Sequence, residues 1–214
     1  MPKLIHAFAK SYPAIEMEIF QGTYDDVSYW IKNGVVDVGF LSVSSAGEIP
    51  IVPLYKDPLL CVVPKGLRTR QGRMEVEELR EYQFVTQRES TDADIQNFMK
   101  EHDLNVTSNY HVLDDHFRHK TDTKSMSHHS HSGKVIHHMI IGSHIQIMFF
   151  HEILDICLMP EMVMQDIPYE VDCFHLKEDA YRIIGLAALD FEAMAPAVRM
   201  FYEQVVKNYK QPLD

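Results

Sequence analysis

Ten of the thirteen histidines lie between His111 and His151, the strongest local clustering of one chemistry in the chain. The run His128-His129-Ser130-His131 is followed by His137, His138, His144 and His151. Neutral imidazoles ligate zinc, nickel and copper, so adventitious uptake of Zn or Ni follows from composition alone. A defined site is a stronger claim. His128, His129 and His131 are its candidate ligands, but no C-x-x-C or H-x-x-x-H framework fixes them. His151-Glu152-Ile153-Leu154-Asp155 is one letter from the H-E-x-x-H helix of zinc hydrolases, yet no third ligand is specified. No G-x-S-x-G turn, P-loop or G-x-G-x-x-G fingerprint is present, and the chain is expected not to be an enzyme. Thr86-Gln87-Arg88-Glu89-Ser90-Thr91 is different in kind. It falls where a strand runs into a helix, where free N–H groups and the positive helix end favour an anion. Arg88 can pair with a carboxylate there. The plain alternative is an ordinary capping loop with a solvated Arg88.

The elements that must position these groups alternate in type. Residues 2–11 read as a helix stopped before Pro13, and Ile15-Glu16-Met17-Glu18-Ile19 has the period of a half-buried strand. Thr23 caps a helix with Asp25 and Asp26 at its positive end and Gly34 beyond its last turn. Val27, Trp30 and Ile31 should face inward from it. Strands follow at 36–41, 51–55, 59–63, 83–86 and 106–112, with a short helix near 76–79 and a helix from Thr91 to about His102. Further strands are expected at 156–159, 171–176 and 182–189, with Pro160 opening a short helix. Met194, Val198, Phe201, Tyr202, Val205, Val206 and Tyr209 fall at helical spacing and make the last helix the clearest amphipathic element. Strands alternating with helices indicate an α/β fold with mainly parallel sheets.

Composition narrows the function classes. The chain has 214 residues and a formal charge of -11, with 46% hydrophobic residues. So acidic a chain lacks the footprint of a stand-alone nucleic-acid binder. No apolar run approaches the roughly 20 residues that span a bilayer, so no membrane partner is expected. The first residues do not read as a secretory signal. Cys61, Cys157 and Cys173 lie far apart with no C-x-x-C pair, which fits a reducing, cytoplasmic setting. Cys61 and Cys157 sit in apolar strands and read as inert core.

Six fragments, in order, resemble the effector-binding domain of LysR-type transcriptional regulators. Phe8, Tyr12 and Pro13 match its F-x-x-x-Y-P helix end; Gly22, and then Gly34, Asp37 and Phe40, match the glycine and the G-x-x-D-x-x-F segment that follow. Pro53 to Leu67 resembles the strand pair leading into the first inter-lobe crossover, and Leu158 to Val163 the L-P-E strand-to-helix turn. Tyr181 to Val205 resembles the closing strand and helix. The likeness covers about residues 1–115 and 152–214. The segment between, with the atypical histidine-rich residues 116–151, does not follow the family. The chain also lacks the family's winged helix-turn-helix and first strand, and starts inside what the resemblance makes the first helix.

The resemblance implies a two-lobed, periplasmic-binding-protein-like α/β domain with two chain crossovers. One lobe comprises residues 1–65 plus 178–214, the other 66–177. A small-molecule effector, commonly an organic acid in this family, is expected in the cleft, which agrees with ligand binding beyond the carboxyl ends of strands in open α/β sheets. Ser42, Val43 and Ser44 are then expected on one wall, and Thr86, Gln87, Arg88 and Ser90 on the other. No cofactor is expected. This chain alone should not bind DNA, and a homodimer is expected from the family's side-by-side pairing. A histidine-rich metal-binding protein on a decayed effector scaffold is the competing expectation.

Overall fold

The computed structural model describes residues 2–82, 84, 86–87, 93–104, 111–112, 135–138, 156–165 and 170–209. Helix α1 (Pro2–Ser11) leads to strand β1 (Glu16–Ile19) and helix α2 (Tyr24–Lys32). The start of α2 follows from its sequence. Thr23 Oγ1 accepts the Asp26 N–H at 3.2 Å, and Asp26 Oδ2 accepts the Thr23 N–H at 2.9 Å, a reciprocal capping box. Gly34, at φ +67°, ends the helix in a conformation that disfavours any side chain.

Strand β2 (Gly39–Ser42) runs beneath α2 and is followed by a 3-10 turn (Val43–Ser45). A Cβ on Gly39 would stand 2.5 Å from Val27 Cγ1, so the close approach of helix to strand requires glycine. Next come β3 (Ile51–Pro64), α3 (Val76–Leu79), β4 (Thr86–Gln87), α4 (Ala93–Glu101), β5 (His111–Val112) and β6 (Val135–His138). The chain continues with β7 (Cys157–Pro160), α5 (Glu161–Met164), β8 (Val171–His175), β9 (Tyr181–Ala187) and α6 (Pro196–Tyr209).

Where two strands were expected at 51–55 and 59–63, β3 is continuous for 14 residues. Asp57-Pro58 reads as a break in sequence but falls where the strand changes partners. Ile51 to Pro58 pair with β9, from Ala187 back to Tyr181, whereas Leu59 onward pairs with β7 and Leu60 onward with β8.

These ladders, with β2 on β9, are all antiparallel and form the order β2-β9-β3-β7, with β8 also on β3. The described parallel pairings are shorter: β1 with β6, β4 with β5, and single bridges at Met74–Leu176 and Phe84–Ile156. The expected mainly parallel sheets therefore do not describe the long ladders. Strand–helix alternation does not register that β3 runs through the sheet while β7, β8 and β9 return against it.

The apolar residues gather into two principal cores. The first contains Leu4 and Phe8 of α1, Val38, Phe40, Leu54 of β3, Ile184 and Leu186 of β9, and Val198, Phe201 and Val205 of α6. Phe8 and Phe201 meet edge to face with centroids 5.2 Å apart. A companion cluster under α2 (Val27, Ile31, Leu41, Ile49, Ala187) covers the other side of β2. The second core contains Leu59, Cys61 and Val63 of β3, Met74, Leu79, Phe84, Phe98 and Met99 of α4, Ile156, Leu158 and Leu176. β3 thus serves both cores, Leu54 on one side of Asp57 and Leu59 on the other.

Candidate functional site

β2 ends at Ser42, whose side chain is fully buried although polar. Its Oγ lies 3.0 Å from Ser44 Oγ and hydrogen-bonds Asp94 Oδ2 in the first turn of α4. Val43 is half-buried and Ser44 exposed. Ser42 is attached to the first core through Phe40, and Asp94 to the second through Phe98 and Met99. The pair therefore joins the end of a strand in one core to the start of a helix in the other. This is the only expected wall whose side chains are described. Thr86 and Gln87 form β4, paired in parallel with His111 and Val112. Arg88 and Ser90 lie outside the described residues, as do His128, His129, His131, His151 and Glu152. His137 and His138 are on β6, in register with Glu18 and Ile19. Among the described residues no group of three or more His, Cys, Asp or Glu side chains is arranged to hold a metal ion.

Sequence reasoning missed a second polar constellation, at the point where β3 changes partners. Asp57 is fully buried. Its Oδ2 accepts from Arg182 Nε and its Oδ1 from the Met162 N–H of α5, each at 2.9 Å. Arg182 Nη1 donates to the Tyr24 hydroxyl at 3.0 Å, bringing in the first residue of α2. Burial pushes the Asp57 carboxyl above its ordinary value, outweighing the downward pull of the Arg182 cation and the Met162 amide. The signal for this site was a lone acid inside the run Leu54 to Val63, with an arginine opening the apolar strand near 182. A buried charge needs a partner, and each supplies the other's.

Two other expectations concern stabilising roles. Thr23 is a structural cap, as its place at a helix start indicated. Cys61 and Cys157 are fully buried, and burial pushes both thiols up, away from the reactive thiolate. No helix among the described residues is long and apolar enough to cross a membrane.

The described residues thus form a two-core α/β domain in which a polar strand end faces a helix start. The LysR substrate binding domain family matches residues 1–116, more than half of the chain, and the chain belongs to that family. The family is the substrate-binding domain of LysR transcription regulators, which are not enzymes. Over 63 residues the chain is 35% identical to the uncharacterized HTH-type transcriptional regulator YvbU of Bacillus subtilis (strain 168), a match covering 29% of this chain and 21% of that protein. The effector-binding domain of QuiR in complex with shikimate has the same fold, with a TM-score of 0.69 and 18% identity over 96% of this chain and 88% of that one. The CcmR regulatory domain of Synechocystis PCC6803 in complex with 2-PG aligns with a TM-score of 0.70 at 15% identity, over 98% and 91%.

Proposed function

We propose that this chain is the effector-sensing module of a LysR-type transcription regulator and binds a small organic acid between two lobes. The lobes are residues 1–65 plus 178–214 and residues 66–177. The chain passes between them twice, after residue 65 and before residue 178, as in a periplasmic-binding-protein-like domain. Ser42, Val43 and Ser44 line one wall, with Thr86, Gln87, Arg88 and Ser90 on the other. The observation that carries this reading is the buried Ser42 hydroxyl, which faces the first turn of α4 from the opposite core. A buried hydroxyl needs a hydrogen-bond partner, and Ser42 finds its partner across the junction of the two cores, beyond a strand end, where open α/β domains take their ligands. The acids named with QuiR and CcmR belong to those proteins, and they define the chemistry with which to begin.

Binding then acts by population shift. An acid that touches both walls favours the arrangement in which they are close, by as much as its affinity differs between arrangements. In an intact regulator this re-sets the spacing of DNA-binding domains, and the module itself makes no operator contact. It works in the cytoplasm, paired as a homodimer.

Thermal melts of the purified chain with a panel of organic acids, shikimate included, test the reading. One acid should raise the melting temperature saturably, and Ser42→Ala should weaken that effect. If no acid shifts the melt of a cooperatively folding chain, the reading fails.

A further inference from the structure

We propose that Asp94 is an internal competitor of the effector: its carboxylate occupies the Ser42 hydrogen that an incoming organic acid would take. The inference rests on the effector-site reading above and adds the residue that sets how tightly anions bind there. Ser42 and Asp94 are 52 residues apart in sequence and belong to different cores. Their contact is therefore not local helix or turn chemistry.

The donor arithmetic is restrictive. A serine hydroxyl has one hydrogen. When Ser42 gives its hydrogen to Asp94 Oδ2, it has none left for the Ser44 hydroxyl 3.0 Å away, and in that contact Ser42 Oγ accepts. The exposed Ser44 hydroxyl can turn its own hydrogen elsewhere, but the one hydrogen of the buried Ser42 is held by Asp94. An acid at this wall needs that same hydrogen and meets a second negative charge beside it, in a chain already at -11. Contact with Ser42 requires the Asp94 carboxylate to swing away. The withdrawn carboxylate leaves its partner for water, which a half-buried aspartate can do and a fully buried one cannot.

Asp94 therefore distinguishes ligands by charge. Removing its charge should strengthen binding of an organic acid more than that of the same molecule's neutral amide, which takes the same hydrogen but carries no charge to be repelled. A role confined to folding would move both alike. The experiment measures dissociation constants of the best acid and of its primary amide for the wild-type chain, Asp94→Asn and Asp94→Ser. Melts without ligand establish that each variant folds, and the serine variant retains a small polar group should asparagine disrupt the turn. The expected result is about tenfold tighter acid binding in either folded variant, equivalent to about 1.4 kcal/mol, with a clearly smaller gain for the amide. Unchanged or weaker acid binding in the variants, while the wild type binds, overturns the competitor and leaves the effector site standing. Equal tightening of acid and amide also overturns it. If neither the wild type nor any variant binds an acid, the effector-site reading fails and the competitor fails with it.

Discussion

Asp57 and Asp94 both link the two cores, in opposite surroundings. Asp57 is fully buried and accepts from Arg182 and the Met162 amide, with Tyr24 hydrogen-bonded behind the arginine. Asp94 is half-buried at a helix start and meets Ser42. The first carboxylate cannot leave without stranding a buried cation. The second can exchange its partner for water. Environment rather than residue type separates a fixed strut from a displaceable contact, and a domain that closes on a ligand needs one of each. Under the proposed effector-site reading, the Asp57 contact holds while the Ser42–Asp94 contact opens.

The comparison breaks most visibly at the strut. Arg182→Met should cost about 3–5 kcal/mol, read from urea denaturation, because it takes the cation and its hydrogen bond from a buried carboxyl. The double variant Asp57→Asn, Arg182→Met should lose less than the two single losses added together. Strict additivity would show that the two groups are not coupled. At the mouth, Ser42→Ala without ligand should cost only about 0.5–1.5 kcal/mol, the range for one net hydrogen bond. A loss equal to that of Arg182→Met would erase the distinction between strut and contact.

The smallest effect concerns pH and uses an ion pair inside one core as the reference. Hydrogen bonds from Arg68, whose Nε is 2.9 Å from Glu78 Oε2, hold the Glu78 carboxyl below its usual range. Its contribution to stability is present above pH 4.5, the ordinary value, and is lost as pH falls through the lower folded one. Glu78→Gln should therefore flatten the acid side of the stability curve. Asp57 has the opposite sign. Its folded value is raised above 3.8, so its contribution is present below that value and declines as pH rises through the folded one. Asp57→Asn should make the acid side steeper, and urea midpoints across the acid range would show both slopes.

Local chemistry was legible in the sequence, and distant pairing was not. The Thr23 cap, the Gly34 stop, and the periodic faces of α2 and α6 depend on residues within a turn or two, and the structure has them at or near the expected positions. β3 was read as two strands because Asp57-Pro58 looks like a break. The residue that makes Asp57 tolerable there, Arg182, is 125 positions away. For the same reason Ser42 was expected through resemblance alone, and its partner Asp94 was not expected at all. The antiparallel direction of the long ladders was not legible on similar grounds, since alternation counts elements without fixing which neighbours they find. The histidine tract was legible only as composition, and its candidate ligands His128, His129 and His131 fall outside the described residues.

Amide hydrogen exchange of the full chain, with and without the acid that most raises its melting temperature, tests the central claim most directly. Binding between the cores predicts added protection in Gly39–Ser45 and in the first turns of α4, segments distant in sequence that meet at Ser42 and Asp94. Protection confined to one of these segments, or appearing elsewhere while both remain unchanged, would contradict an effector site between the two cores.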